Sequence, residues 1–280
     1  MNTPLLTRGA KSTRLFGLWL PLLVIILWTI FAIVGPFLPI APDHINLTHI
    51  LMSPGAQAIL GADDLGRSLA ARVLAGSQTS FIVACWVVMI SSVMGTVIGT
   101  LGAYLGGKWD LVLIRIIDIF LAVPGILLAI ALAGILGPGI ENVVIALSIV
   151  GWVGYARLAR SQVLSLKHRE HVQAAIALGA GTRRIVFRHL IPLIMAPLIV
   201  EASFGVAGIV IAEAGLSFLG LGVQPPEASW GSMIRDGAQY LLVAPHMVIV
   251  PGVALMLVVL SINLLGDRLR DKLDVRRQPS

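Results

Sequence analysis

Long, continuous apolar runs occupy most of the chain and are separated by short polar segments. A helix needs about 20 predominantly apolar residues to cross the hydrocarbon core of a membrane. The runs do not alternate apolar with polar residues, which excludes the strands of a membrane barrel. The pattern therefore predicts an all-α integral membrane protein with six transmembrane helices, at residues 15–34, 80–104, 111–136, 143–159, 191–212 and 247–265.

The basic residues between the runs predict the orientation of the helices, because Lys and Arg collect in the cytoplasmic segments of membrane proteins. With the N-terminus inside, 17 of the 20 Lys and Arg residues lie on the cytoplasmic side, and seven of them crowd residues 157–188. Arg67, Arg72 and Arg235 fall outside. We therefore expect both termini, residues 1–14 and 266–280, to face the cytoplasm.

Composition narrows the function classes. Hydrophobic residues make up 57% of the 280 residues and charged residues only 12%, with a mean hydropathy of +0.94. A soluble domain carries about 25% charged residues, so an ordinary soluble enzyme is excluded. The net charge of +6 comes from basic residues between apolar runs, so no nucleic-acid partner is expected. Cys85 lies within an apolar run, where we expect a buried structural residue.

Two local patterns imitate ligand sites without completing them. Residues 102–108 have the spacing of a phosphate-binding loop, but Trp109 stands where Ser or Thr would hold magnesium, and no strand precedes the segment. His168 and His171, beside Glu170, supply too few ligands for a metal site. We expect a glycine turn at the membrane edge and no nucleotide or metal bound by this chain.

Small and charged residues inside the predicted spans raise separate expectations. Gly95, Gly99, Gly102 and Gly106 share one helix face, which favours close packing of two helices. Arg115 and Asp118 are three residues apart and can pair on one helix face. Glu201 lies about 13 Å along its helix beyond Pro192, where a carboxylate must face a partner or a water-filled path. Two interpretations of Glu201 remain open, a lining of a transport path and a local structural pair.

Three connections are long enough to carry function, at residues 35–79, 160–190 and 213–246. The internal one, 160–190, is the most informative. A short helix from residue 168 ends at Gly179 as its C-cap, and Thr182 can cap a second helix that leads to a proline. This helix–glycine–helix arrangement is typical both of an element that docks a soluble partner and of an amphipathic segment that lies on anionic lipid. Both interpretations remain open.

The same loop carries a family resemblance. Its Gln-Ala-Ala run, the glycine four residues later and the Ile-Pro pair before a span resemble the EAA loop of ABC-importer permeases. The glutamine stands where that family has glutamate. In the family this loop holds a coupling helix that sits in a cleft of the ATP-hydrolysing subunit. The resemblance therefore implies that the coupling residues are Gln173, Ala174, Ala175, Gly179 and Pro192.

Three further stretches resemble the peptide and nickel permeases within that family. Residues 60–67 resemble an LGTDxxGRD segment, with Ser68 in place of its last Asp. Residues 213–231 match the pattern EaxLSFLGLGvqpP…WG, and residues 263–274 match NxxGDxLRDxLD. The resemblance implies structural roles for the signature positions Gly66, Arg67, Glu213, Ser217, Gly220, Gly222, Trp230, Asn263, Gly266, Asp267, Arg270 and Asp271.

Together these motifs resemble the C-type permease subunit of a dipeptide or oligopeptide ABC importer with the type I permease fold. The resemblance implies a place in the bacterial inner membrane, a homologous B-type permease, two cytoplasmic ATP-binding subunits and a periplasmic binding protein. ATP and magnesium would bind to the ATPase subunits, leaving this chain non-catalytic and without a cofactor. The implied divisions are residues 1–14, 15–79, 80–265 (the permease core, with a coupling loop at 160–190 and a periplasmic loop at 213–246) and 266–280.

Three alternatives remain. Nickel is the alternative cargo within the family, and His44, His49 and His246 near the outer side offer the ligands that nickel favours. An intramembrane enzyme would need convergent polar groups at membrane depth, where the sequence offers isolated Glu201. A receptor or scaffold would use the 160–190 loop to bind a signalling partner.

Overall fold

The computed structural model describes residues 9–56 and 58–273. Arg8, Gln57, Arg276 and Arg277 lie outside the described residues, so three of the basic residues behind the orientation prediction have no described position. The described residues form helices joined by turns and loops, which confirms the all-α prediction. The helices are α1 (Gly9–Val34), α2 (Leu69–Leu105), α3 (Gly107–Leu121), α4 (Gly125–Leu136), α5 (Ile140–Leu166), α6 (Glu170–Ala177), α7 (Thr182–Arg184), α8 (Ile191–Phe218), α9 (Trp230–Ala238) and α10 (His246–Leu273).

Among the described residues, five helices are long and apolar enough to cross a membrane, and α3 with α4 makes a sixth span if the two are taken together. Several helices extend beyond the predicted spans. α2 begins at Leu69, where the Ser68 side chain accepts a hydrogen bond from the backbone N–H of Ala71, and α10 continues to Leu273. Apolar runs mark the depth of hydrocarbon, whereas helical hydrogen bonding continues into the polar region outside it.

The third predicted span is not one continuous helix, so the prediction for residues 111–136 is wrong in this respect. α3 and α4 meet at an angle of 84°. The break lies at Pro124, which precedes α4 with extended backbone (ψ 124°). Proline lacks the N–H that a continuous helix needs, and it disfavours the helical conformation of the residue before it. The Pro-Gly pair at this point was the sequence signal for the break.

Close packing against α5 and α3 confirms the expected role for Gly95, Gly99 and Gly102. For Gly106 the expectation is wrong, because this residue ends α2 and a Cβ added there meets no atom within 4 Å. A Cβ added at Gly95 would lie 2.9 Å from the backbone nitrogen of Ala156, and one added at Gly99 would lie 2.9 Å from its Cα. Gly102 packs in the same way against the side chain of Leu113 on α3. Any larger residue at these positions would push the helices apart.

Trp28 ties α1 to the rest of the bundle. Its indole N–H donates to the carbonyl of Ser77 at 3.2 Å, and its ring stacks edge-on against Phe81 at 5.2 Å between centroids. It also lies 6.4 Å from the ring of Trp230. These contacts hold the first helix against α2 and α9.

Apolar side chains also cover the outside of the bundle, as expected where lipid replaces water as the solvent. On α2, Trp86 and Val93 are 52% and 59% exposed. Cys85 is exposed on the same helix, so the expectation of a buried cysteine is wrong. An apolar run cannot distinguish the lipid-facing side of a helix from its packed side, because both are apolar.

Candidate functional site

α6 forms a short arm between α5 and the long helix that follows. Val172 is its buried anchor, within a cluster that contains Leu166 of α5 and Ile185. The Gln173 side chain donates from Nε2 to the carbonyl of Lys167 at 2.9 Å and is otherwise exposed. α6 is therefore fixed on one side and open on the other.

The arm ends at Gly179 with the geometry that the sequence predicted. Gly179 has φ +82°, and its N–H donates to the carbonyl of Ile176, while the N–H of Ala180 donates to that of Ala175. These two bonds form a Schellman motif, which requires a left-handed residue at this position. The predicted cap is confirmed. Thr182, expected to cap the next helix, is instead its first residue, after Gly181.

The open side of the arm presents small and apolar groups. Ala174 is exposed and Ala175 is half-buried, and Leu178, which follows α6, has 89% of its surface exposed. Ile176 and Phe187 add exposed apolar area nearby. Ala and Gly permit close approach of another chain, and exposed apolar side chains favour burial in a partner. We name the surface of α6 and residues 178–181 the elbow.

The elbow leads directly into one 37-residue helix, Thr182–Phe218, which consists of α7, a π-helical segment (Ile185–Leu190) and α8. The π segment ends just before Pro192, which lies in the first turn of α8. A proline ring excludes the carbonyl four residues earlier, and a wide π turn is one way to accommodate it within a helix. Pro192 therefore leaves the long helix continuous.

Two polar contacts tie the base of the elbow to neighbouring helices. Arg160 of α5 donates from Nε and Nη2 to the two carboxylate oxygens of Asp110 on α3, at 2.6 and 2.9 Å. Lys167 donates from Nζ to the carbonyl of Ala103 on α2 at 3.1 Å. Local sequence spacing could not predict these pairs, because their members lie 50 and 64 positions apart.

The local pair expected between Arg115 and Asp118 is wrong. The ion pairs among the described residues do not include it. Both side chains are exposed on α3. An exposed pair gains little Coulomb energy and must offset the entropy of two ordered side chains.

Glu201 faces a cavity of about 700 Å³ between α5, α8 and α10. Gln162, Phe204 and Arg270 line it from different sides. The ion pairs among the described residues do not include Glu201, and its role in lining a transport path stays a prediction. The cavity therefore holds a carboxylate and a guanidinium on its wall.

Glu213, near the other end of the long helix, is fully buried and hydrogen-bonded. Its carboxylate accepts from the hydroxyl of Ser80 on α2 at 2.9 Å and from that of Ser217 at 2.7 Å. A buried carboxylate is stable only with such donors. Ser80 was not predicted as a partner of Glu213, because the two residues lie 133 positions apart. Glu213 thus fastens α8 to α2.

The rest of the same signature fastens α9 against α2 and α8. The indole N–H of Trp230 donates to the carbonyl of Val73 at 3.0 Å. A Cβ at Gly231 would lie 2.7 Å from the Cα of Ala214, and one at Gly222 would lie 2.8 Å from the Cα of Ser217. Gly220, with φ +83°, turns the chain after α8. α9 itself, inside the predicted 213–246 loop, was not predicted.

The first signature segment forms a buried charge network outside the helices. Asp63 Oδ2 lies 2.6 Å from Nε of Arg67 and 3.5 Å from Nε of Arg72. Gly66 has φ +73° and contacts the backbone of Asn46. Burial, with the nearby charge of Asp63, raises the pKa of the Asp64 carboxyl, and Arg67 partly opposes this shift. The network braces the connection at residues 35–79 against the start of α2.

The last signature lies on α10. Asn263 donates from Nδ2 to the carbonyl of Val259 within α10 at 3.0 Å. Gly266 packs against the ring of Phe204 and so supports the packing of α10 on α8. Asp267 is exposed, and Arg270 lines the Glu201 cavity. Asp271 lines a separate cavity against α1. Residue 274, the last position of the motif, lies outside the described residues.

Comparison with known proteins identifies the family. A model described as "Binding-protein-dependent transport system inner membrane component" matches residues 95–278. The dipeptide transport system permease protein DppC of Alkalihalophilus pseudofirmus is 40% identical over 254 residues, which cover 89% of this chain and 84% of that protein. The nickel transport system permease protein NikC of Escherichia coli K12 is 39% identical over 258 residues, or 91% and 92% of the two chains.

Two further similarities agree with this result. The glutathione transport system permease protein GsiD of Escherichia coli O6:K15:H31 is 39% identical over 234 residues, or 84% of this chain and 77% of that protein. Inward-facing structures of the MetNI methionine ABC transporter match with TM-scores of 0.54 and 0.55 at 20% identity, covering 73% of this chain and 95% of theirs. These structures confirm the permease fold. The chain therefore belongs to the inner-membrane components of binding-protein-dependent transport systems, among the ABC-importer permeases named for dipeptide, glutathione and nickel.

Proposed function

We propose that this chain forms half of the translocation path of an ATP-driven importer for dipeptides or oligopeptides in the bacterial inner membrane, with both termini in the cytoplasm. A homologous B-type permease would complete the path, and a periplasmic binding protein would deliver the substrate. Two cytoplasmic ATPase subunits would bind ATP and magnesium, so this chain acts without a cofactor or catalytic group. The observation that carries the proposal is the exposed elbow joined to the long helix beside the Glu201 cavity.

The elbow suits docking into a cleft of an ATPase subunit. Its alanines and Gly179 offer a surface without bulky side chains, and Leu178 projects as an exposed apolar group. Burial of such a side chain in a partner gains about 1.5–3 kcal/mol. The glutamate that the family carries is Gln173 here, and its amide binds the carbonyl of Lys167 within the chain. Docking in this protein therefore relies on shape and apolar contact more than on a charge at Gln173.

The long helix can transmit a push at the elbow as a rigid body. At 1.5 Å per residue, Glu201 lies about 28 Å from Thr182 along the axis, and Glu213 lies about 46 Å from it. The Glu213 end is held by hydrogen bonds to α2 and within α8. Closure of the ATPase pair would therefore tilt the helix about its fastened outer end and change access to the cavity beside Glu201.

The cavity favours a zwitterionic peptide as the substrate. Glu201 and Arg270 are complementary to the ammonium and carboxylate ends of a short peptide, and about 700 Å³ exceeds the volume of a dipeptide. The histidines that suggested nickel have other surroundings. His246 is buried with Nε2 at 3.3 Å from the carbonyl of Ala62, and His49 lies 3.4 Å from the amide of Asn46. Peptide is therefore the cargo that we propose, and nickel or a nickel chelate remains the family alternative.

Uptake in a strain that lacks this chain tests the cargo. We expect loss of labelled dialanine uptake, recovery when the chain is restored, and unchanged uptake of labelled nickel. Excess unlabelled glutathione competes only if the path accepts longer or γ-linked peptides. Loss of nickel uptake with intact dipeptide uptake would refute the peptide assignment while keeping the importer class.

The assembly has its own test. Mild detergent extraction of the tagged chain should recover a sister permease and two ATPase copies in fixed stoichiometry. Substitution of Leu178 by Ser should reduce recovery of the ATPase without reducing recovery of the sister permease. If the purified chain converted a substrate by itself, with no ATPase pair bound, this result would contradict the importer proposal.

A further inference from the structure

A second cavity, of about 620 Å³, lies between the beginning of α1 and the end of α10, away from both the elbow and the Glu201 cavity. Its α1 wall is apolar, and its α10 wall combines leucines with charged residues. The residues that line it are Leu18, Trp19, Leu22, Leu265, Arg268, Leu269, Asp271 and Lys272.

The spacing on α10 produces an amphipathic wall. Leu265 and Leu269 are four residues apart, as are Arg268 and Lys272, and the second pair is offset from the first by three residues, so all four lie on one side of the helix. Arg268 and Lys272 are exposed. The opposite wall contributes Trp19, which is 66% exposed. The cavity thus has an apolar interior and a rim with two basic side chains.

The cavity lies at the level where both helices pass from apolar to charged sequence. On α10, an uncharged stretch ends at Asp267, and four further charged residues follow by position 272. On α1, Arg14 precedes Leu18 by four positions, and only uncharged residues follow to the end of the helix. Tryptophan is enriched at the boundary between hydrocarbon and head groups. The basic rim therefore lies at head-group depth, with the apolar interior beside the acyl chains.

We propose that this cavity binds one anionic phospholipid. Arg268 and Lys272 bind its phosphate, and an acyl chain lies along Leu18 and Leu22. Basic pockets between transmembrane helices recognise anionic head groups in this way. Asp271, at the same rim, has an interaction of its own in the fold, and its negative charge limits the site to a single anionic head group. The bound lipid would join α1 to α10.

Native mass spectrometry of the full chain, purified with its co-purifying subunits, tests the site. The probes are palmitoyl-oleoyl phosphatidylglycerol and the phosphatidylethanolamine with the same chains, titrated separately. We expect the wild type to prefer phosphatidylglycerol. In the double variant Arg268→Gln with Lys272→Gln, the affinity for phosphatidylglycerol should fall about 30-fold, which corresponds to about 2 kcal/mol for two basic residues. Affinity for phosphatidylethanolamine should change little.

Two further variants separate charge recognition from a loss of folding. Arg270 lies in the same turn of α10 but lines the Glu201 cavity. The variant Arg270→Gln should therefore leave phosphatidylglycerol binding unchanged. The exchange Arg268→Lys with Lys272→Arg keeps both charges and should bind as the wild type does. Equal affinity of the wild type for the two lipids, undiminished binding by the double glutamine variant, or lost binding in the charge-keeping variant would each overturn the proposal.

Discussion

Replacement of Gly179 by valine isolates the conformation of the elbow from its contacts. The residue has φ +82°, and a Cβ built on it meets no atom within 4 Å, so a side chain adds backbone strain without a clash inside the chain. A left-handed L-residue costs roughly 1–2 kcal/mol, and a β-branched one lies at the upper end. That free energy lowers the population of the capped elbow by a factor of about 5–30.

The assay is substrate-stimulated ATPase activity and dipeptide uptake by the complete transporter in proteoliposomes. We expect Gly179→Val to lower both by about 5–30-fold while the amount of inserted chain stays unchanged, because the strain is confined to the elbow. Gly179→Asn should retain more activity than Gly179→Ala, since asparagine tolerates the left-handed region better. Gly181→Val is the matched control, because Gly181 has φ −70° and an added Cβ there also meets no atom within 4 Å.

Three results would refute this reasoning. Wild-type rates in Gly179→Val would show that transport does not need the capped elbow. An alanine variant more active than the asparagine variant would show that side-chain size at a docking contact, rather than φ, limits the activity. A comparable loss in Gly181→Val would lead to the same conclusion for the surface as a whole.

Three further predictions concern the packing that supports the elbow and the long helix. Glu213→Ala leaves two buried serine hydroxyls without their acceptor, at about 1–3 kcal/mol each, and should lower the thermal unfolding midpoint in detergent more than Glu213→Gln does. Gly231→Ala should destabilise by about 1–3 kcal/mol through overpacking against α8, whereas Gly215→Ala, with no atom within 4 Å of its Cβ, should be neutral in the same melt. In a double-mutant cycle, Asp110→Ala and Arg160→Ala should couple by about 0.2–1 kcal/mol, and strict additivity would contradict the observed pair.

The sequence predicted which segments enter the membrane more reliably than where each helix begins and ends. Apolar runs located the five long helices, because hydrocarbon excludes charge along their whole length. The same signal could not show that α2 begins at Leu69 or that α10 reaches Leu273. The break at Pro124 could have been predicted from the Pro-Gly pair at this point. It was missed because the apolar run continues through it, and lipid tolerates a bend when neighbouring groups satisfy the backbone.

At the candidate site, local geometry was predictable and long-range pairing was not. The positive φ at Gly179 follows from residues within one turn, so the sequence predicted it correctly. The pairing of charged residues was not predictable even where the proposed partner was local. Arg115 was assigned a neighbour three positions away, whereas the pair that forms joins Asp110 to Arg160, 50 positions apart. Local spacing can suggest a contact on one helix, but it carries no information on which helices meet.

The Glu213 signature (residues 213–231) and the elbow lie at opposite ends of the long helix, and this separation explains why these two motifs differ in character. The signature is rich in buried contacts: Glu213 binds two hydroxyls, and Trp230 binds the backbone of α2. The elbow leaves Leu178 and Ala174 exposed. Under the proposed function, a partner that binds the exposed elbow would act on the long helix at the end farthest from Glu213. Loosening the Glu213 end, as in Glu213→Ala, should then weaken transport even where the elbow still binds the proposed ATPase.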